Sequence, residues 1–242
     1  MARPIERERK AMLSVRDLAN QAFSRAAGAP LVSGNYVRLL KDAKENYPAW
    51  LEAIKEAQRY IHFESYIIHE DEAGWLFADA LVARAREGVR VRLLYDWLGG
   101  AGKTSRSFWN HLRSGGVEVR AYNPPRLDSP LSWVSRNHRK TLTTDGRVGF
   151  VTGLCVGRMW VGDPDKKLEP WRDTGIEVRG PAVADIEQAF ANVWDSIGDD
   201  LPPDETARRD MLDEAGDVAL RVVATQPVSA GMLRMDQLVA TL

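Results

Sequence analysis

Apolar and polar positions follow two different periods along the first half of this chain. "YVRLL" (36–40), "RYIHFESYII" (59–68), "GVRVRLLYDW" (88–97) and "VEVRAYN" (117–123) are short runs rich in β-branched and aromatic residues, which predict strands. Between them, "YPAWLEAIKEAQ" (47–58), "AGWLFADALVARARE" (73–87) and "SRSFWNHLRSG" (105–115) repeat their apolar residues at helical spacing. Strands separated by helices of this length predict crossover units and a largely parallel, buried sheet. A helix over 5–27 precedes them, with Met12, Val15, Leu18, Ala19, Ala22 and Phe23 on one face. It reads as an arm packed on its own domain or a partner, or as a helix on a membrane surface. "GAP" and "SGN" then break the pattern.

After a proline-rich loop the pattern changes. "NHRKTLTTDGRVGFVTG" (137–153) reads as two β runs around an Asp145-Gly146 turn, a hairpin signal. "DTGIEVRG" (173–180) is a further strand, and "PAVADIEQAFANVWDSI" (181–197) is a helix with Pro181 in its first turn. The organisation expected is an N-terminal helical arm (1–31), one α/β domain (32–200), a polar linker (201–217) and a last segment (218–242). In that segment Leu220-Arg221-Val222-Val223 echoes Val37-Arg38-Leu39-Leu40, and a turn-rich loop and helix start follow in both places. The echo suggests that a second copy of the domain begins near 218 and is cut off at Leu242. The alternative is a strand and helix that complete the first domain.

Composition narrows the chemistry. The chain is 44% hydrophobic and 28% charged, with a net charge of −1, so no global basic field favours nucleic acid. The one cysteine, Cys155, cannot form an intramolecular disulfide, which suits a reducing compartment. No apolar run approaches the ~18 residues that span a bilayer, and the N-terminus lacks a secretory core. The expectation is a soluble or peripheral protein. No H-E-x-x-H or C-x-x-C spacing is present, so neither a metal nor a cofactor is expected. "LGGAG" (98–102) lacks the spacing of a phosphate loop.

His138 and Lys140 carry the candidate chemistry. On a strand they would share a face, about 7 Å apart along the chain, with Arg139 on the other. A neutral imidazole is a nucleophile, and a nearby ammonium can hold a phosphoryl oxygen in the transition state. The pair therefore suits phosphoryl chemistry without a metal. His62, His69 and His111 have no lysine two residues later. His62 would share a strand face with Glu64 and reads as a structural histidine. Glu64, near the sheet end, is a candidate for supporting the site.

With His138, Lys140, Asp145 and the "DGRVGFVTG" hairpin in view, the chain resembles the phospholipase D superfamily, in its cardiolipin synthase-like branch. The resemblance extends to "FESYII" (63–68), "GVRVRLLYDWLG" (88–99), "GVEVRAYNPP" (116–125), "WRDTG" (171–175) and "GPAVADIEQAFANVW" (180–194), covering about 32–200. It implies an α/β fold of the phospholipase D type, a mixed sheet flanked by helices. It also implies phosphatidyl transfer from a phospholipid to an alcohol through a phosphohistidine, with His138 attacking and Lys140 binding the non-bridging oxygens. Asp173 would orient the histidine, and Asp145, catalytic by motif, would brace the hairpin. Where relatives commonly carry glycines and an asparagine, Thr152-Gly153-Leu154-Cys155 stand here, and a thiol is a weaker donor than an amide. Glu64, Thr152 and Cys155 are the candidate substrate-binding positions. The implied partners are a phospholipid, a membrane surface, and a second phospholipase D-like half or a second identical chain, because family sites are built from two H-x-K units. The implied location is cytoplasmic and peripheral to the inner membrane. A metal-independent phosphodiesterase or nuclease, and a catalytically silent membrane- or partner-binding module, are the alternatives.

Overall fold

Strands and helices alternate through the first half of the chain as the apolar pattern predicts. The computed structural model describes residues 14–125, 135–225 and 240. In chain order these form α1 (Val15–Ala27), β1 (Val32–Lys41), α2 (Asp42–Glu56), β2 (Tyr60–Ser65), α3 (Glu72–Arg86), β3 (Arg90–Asp96), the single turn α4 (Trp97–Gly100), α5 (Arg106–Ser114) and β4 (Glu118–Tyr122). The hairpin β5 (Thr141–Thr144) and β6 (Val148–Thr152) follows, then the short α6 (Arg158–Val161), β7 (Thr174–Arg179), α7 (Val183–Asp195) and β8 (Val218–Leu220).

One sheet holds all eight strands in the order β4-β3-β2-β5-β6-β7-β1-β8. Only β2, β3 and β4 run parallel to their neighbours, and every other pairing is antiparallel. The sheet is therefore mixed, and the largely parallel sheet expected from the alternation is confined to the β2-β3-β4 block. β1 precedes a helix as a crossover strand would, yet it pairs antiparallel with β7.

Alternation along β2 and β3 sorts the two faces. Phe63, Val91 and Leu93 pack into the main apolar cluster with Trp50, Phe77, Leu81 and Phe108 of α2, α3 and α5. Leu94 faces the other way, against Phe190 and Trp194 of α7. His62 lies on that second face, buried and stacked on Phe190 with ring centroids 4.6 Å apart, and burial pushes its pKa down. It is structural. α7 buries nine of its thirteen residues because it packs between the second face of the sheet and the segment that follows it.

The β5–β6 turn takes the left-handed geometry that its Asp-Gly sequence favours, with φ of 57° at Asp145 and 70° at Gly146. α1 is capped by a reciprocal Ser14–Asp17 pair and ends at Gly28 with φ of 61°. Of the arm helix expected over 5–27, the part before Ser14 lies outside the described residues.

The segment expected as a linker is folded onto the domain. Glu205 is fully buried and accepts a two-pronged hydrogen bond from Arg92, at 3.0 and 2.8 Å. Ala207 N–H bonds Glu187 on α7, Ala215 N–H bonds the Gly34 carbonyl, and Leu201 is buried against α7. Its polar composition reflects charged side chains that find partners on the sheet. β8 then joins the sheet edge beside β1, and Arg221 just beyond it bonds Asn20 and Ser24 of α1. The helix start expected after it falls mostly outside the described residues.

Candidate active site

Parallel strands in a sheet place the chain's loops, and so its chemistry, at their carboxyl ends. Two buried acids stand there. Asp96 closes β3, and Glu64 lies one residue before the end of β2. Asp96 caps α4 by accepting from the N–H groups of Leu98 and Gly99, and it also accepts from Asn137 N–H (2.9 Å) and Arg136 Nη1 (3.2 Å). Glu64 accepts from Asn137 Nδ2, from Arg139 Nη2 (2.9 Å) and Nε (3.2 Å), and from Thr141 Oγ1 (3.1 Å). The residues on either side of His138 are thus pinned to the ends of two strands by carboxylates.

The strand expected from residue 137 begins only at Thr141, and residues 135–140 are irregular. Bonds to Asp96 and Glu64 replace ladder bonds there. His138 is exposed and packs its ring on Tyr66 with centroids 4.0 Å apart. Lys140 is buried, and its Nζ lies 3.2 Å from His138 Nδ1. The two side chains therefore meet directly. The histidine pKa is lowered by burial and then by the Lys140 charge, and burial also lowers that of Lys140. An imidazole so placed stays neutral, as a nucleophile must. When Nδ1 accepts from the ammonium, the ring proton sits on Nε2. A phosphate that draws Lys140 away would release Nδ1.

The remaining expected site residues divide. Asp173 packs against Gly153, accepts from Thr174 N–H at 2.7 Å, and exerts its charge on Lys140. No hydrogen bond joins it to His138, whose ring nitrogen faces Lys140. Asp42, at an uncommon φ of 52°, trades hydrogen bonds with residue 173. Asp42 N–H donates to the Asp173 carbonyl (2.8 Å), and Asp173 N–H donates to the Asp42 carboxylate (2.9 Å). Thr152 caps the chain locally through Leu154 N–H at 3.0 Å, and its backbone N–H bonds the Lys140 carbonyl.

Three expected roles are revised by geometry. Asp145 sits at the far end of β5 from His138. Its carboxylate is taken up by the N–H groups of Gln58, Arg59 and Tyr60 at 2.8–2.9 Å, so it braces the α2–β2 connection. Glu64 is buried, and its carboxylate is taken up by Asn137, Arg139 and Thr141 on the segment around His138. Cys155 is buried in the main apolar cluster and its thiol pKa is pushed up by burial, so it offers no surface to a ligand.

Asp96, Asn137, Arg139, Tyr66 and Asp42 were not singled out from the sequence. "YDWLGG" did carry a signal, since an aspartate between an apolar strand and a glycine-containing turn is a helix cap. Among the described residues, no group of three or more His, Cys, Asp or Glu could hold a metal ion, and no helix is long and apolar enough to cross a membrane.

A mixed sheet layered by helices, with a His–Lys pair at the carboxyl end of its parallel strands, defines a domain of the phospholipase D type. The comparisons agree. Residues 50–194 match the family described as "Cardiolipin synthase, PLD-like domain". A cardiolipin synthase of Alkalihalophilus pseudofirmus is 40% identical over 166 residues, which is 68% of this chain and 33% of that protein. Cardiolipin synthase A of Pseudomonas putida is 34% identical over 191 residues, or 76% and 38%. Among solved structures, a phosphatidylserine synthase of Haemophilus influenzae aligns over 92% of this chain and 47% of its own, with a TM-score of 0.55 and 16% identity. Nuc of Salmonella typhimurium, a phospholipase D family member, aligns over 69% and 98%, with a TM-score of 0.52 and 18% identity. The chain belongs to the cardiolipin synthase PLD-like domain family of the phospholipase D superfamily. It spans 33–38% of the length of these curated relatives.

Proposed function

We propose that this domain carries the nucleophile of a cardiolipin synthase-like phosphatidyltransferase. His138 attacks the phosphorus of a phospholipid phosphodiester, the phosphorus–oxygen bond to the leaving alcohol breaks, and a phosphatidyl-histidine forms. An acceptor alcohol then takes the phosphatidyl group and frees the ring. Lys140 holds a non-bridging oxygen and gains strength as charge grows there in the transition state. Asp173, beside Lys140, sets the field around the ammonium. The observation that carries the reading is the exposed His138 ring, held neutral with Lys140 Nζ 3.2 Å from its Nδ1.

The departing alkoxide needs a proton at neutral pH, and one histidine cannot attack and protonate in the same step. The domain therefore works with a second H-x-K unit, from another part of a longer chain or from a second copy. The test is rapid quench of labelled phosphatidylglycerol with the chain and its variants. An acid-labile covalent label on the wild-type protein, absent from His138→Ala, is the expected result. Phosphodiester turnover by His138→Ala above a few per cent of wild type, or full turnover by a proven monomer of this chain, overturns the proposal.

A further inference from the structure

A groove of about 790 Å³ opens on the helical side of the domain, between the start of α2, the start of α3 and the segment from α6 to Pro170. That volume falls within the range of small-molecule sites, about 300–1,000 Å³. Its walls are mostly apolar: Leu51, Leu76, Trp160, Val161 and Pro170 line it. Leu76 and Val161, each 53% exposed, stand at its mouth, and Trp171, half exposed, packs edge-to-face against Trp160 with centroids 5.4 Å apart.

Most charges around the groove are paired, though Lys44, which also lines it, has no ion-pair partner among the described residues. Asp42, Glu72 and Asp163 are bonded to Arg172, Arg158 and Lys166 respectively. Such a rim offers a free phosphate or a nucleotide a single lysine, whereas an uncharged chain meets apolar walls and satisfied ion pairs. The groove also borders the proposed catalytic wall through one residue. Asp42 lines it, and the same carboxylate accepts the Asp173 N–H beside Lys140.

We propose that this groove holds one acyl chain of the phospholipid whose phosphodiester lies at His138. The inference rests on the phospholipid reading of that site and adds where the lipid tail goes. The headgroup sits at the carboxyl ends of β2 and β3, and the chain passes the Asp42–Asp173 junction into the groove. Leu76, Val161 and Trp171 would then meet the membrane from which the chain is drawn.

The test is direct binding to the full chain, followed by quenching of tryptophan fluorescence with lysophosphatidylglycerols whose acyl chains carry bromine. Affinity is expected to rise about fourfold per added methylene, the equivalent of burying each CH₂. Trp160→Phe should remove most of the quenching. Ala73→Trp, which fills the groove, and Leu76→Asp, an exposed change that leaves the core intact, should each weaken binding more than about tenfold. His138→Ala should keep the rise in affinity with acyl length while forming no covalent label, and both readings then stand. Acyl-dependent quenching in a wild type that never forms the label would fail the catalytic reading alone. Affinity independent of chain length, equal binding of glycerophosphoglycerol, or quenching unchanged in Trp160→Phe would overturn the groove proposal. So would a chain dimer that Leu76→Asp dissociates and lipid does not affect, since a second copy would then be the occupant.

Discussion

Glu64→Gln tests whether the acids beneath the site do what the geometry implies. The Glu64 carboxylate is 1% exposed and accepts four hydrogen bonds, from Asn137 Nδ2, Arg139 Nε, Arg139 Nη2 and Thr141 Oγ1. Glutamine removes the one carboxylate paired with Arg139 among the described residues and turns an NH₂ group toward donors. Breaking a buried ion pair from one side costs about 3–5 kcal/mol. Against a total stability of about 5–15 kcal/mol, the fold should survive with its melting temperature lowered by roughly 10 °C. The segment that Glu64 holds carries His138, and a displacement of about 1 Å costs about 10²-fold in rate. Because Glu64 acts through that segment, the loss should fall on formation of the covalent intermediate and leave binding nearly unchanged. Thermal unfolding gives the first number and rapid-quench labelling the second. Arg139→Met in the same background should recover part of the stability, because it removes the stranded guanidinium, but not the rate. A Glu64→Gln protein that melts within a degree of wild type and labels at the wild-type rate would refute the argument.

His138 has a lowered pKa, from burial and then from Lys140, so the acid limb of the labelling rate should fall below the ordinary histidine value of 6.5, and Lys140→Met should move it up in a pH–rate profile. Cys155 should resist a thiol reagent at pH 8 in the native protein and react once in denaturant, and fast native labelling would contradict its burial. Glu205 is opposed by burial, yet the Arg92 fork, the neighbouring His62 and the Arg90 charge outweigh it and hold its pKa near 2, against 4.5 when unfolded. Its stabilisation, about 3 kcal/mol, is fully present above pH 4.5 and is lost as pH falls from 4.5 toward 2. Urea titrations of Glu205→Gln should therefore show a deficit at pH 7 that shrinks toward pH 3, and a deficit constant with pH would count against the assignment.

Much of the fold was legible because burial enforces a period. β2 is buried along its whole length and β3 over its second half, both read as short runs rich in β-branched and aromatic residues, and the Asp145-Gly146 turn is local chemistry that any strand pair would use. What the sequence hides is pairing. Nothing in "YVRLL" says that β1 lies antiparallel to β7, across the sheet from the helix-linked strands that follow it. The site divides along the same line. His138 and Lys140 are near neighbours in the chain and were found together. Their supports come from the ends of separate strands. Glu64 lies 73 residues from the Asn137 it binds, and Asp96 lies 41 residues from the Asn137 backbone it fixes. The segment 201–217 misled for a related reason. Its acids look solvated in sequence, but Glu205 is buried because Arg92 and Arg90 of β3 await it.

The same topology constrains where a second H-x-K unit can stand if the proposed reaction is right. It must reach His138 at the carboxyl ends of β2 and β3. Suppose a second repeat simply continued this sheet beyond β8. Since β8 runs antiparallel to β1, the two repeats would be related by a two-fold axis normal to the sheet. Such an axis reverses strand direction, so the second site would open at the opposite end of the strands. With β6, β7 and β1 lying between β5 and β8, and their counterparts beyond it, the second site would also lie about 34 Å along the sheet, seven spacings of about 4.8 Å. No proton could pass between two such sites. The productive arrangement instead sets two sheets end to end, with the axis through the exposed rim where His138 and Tyr66 stand. In that arrangement β8 is free to stand where it does, at the edge of this domain's sheet.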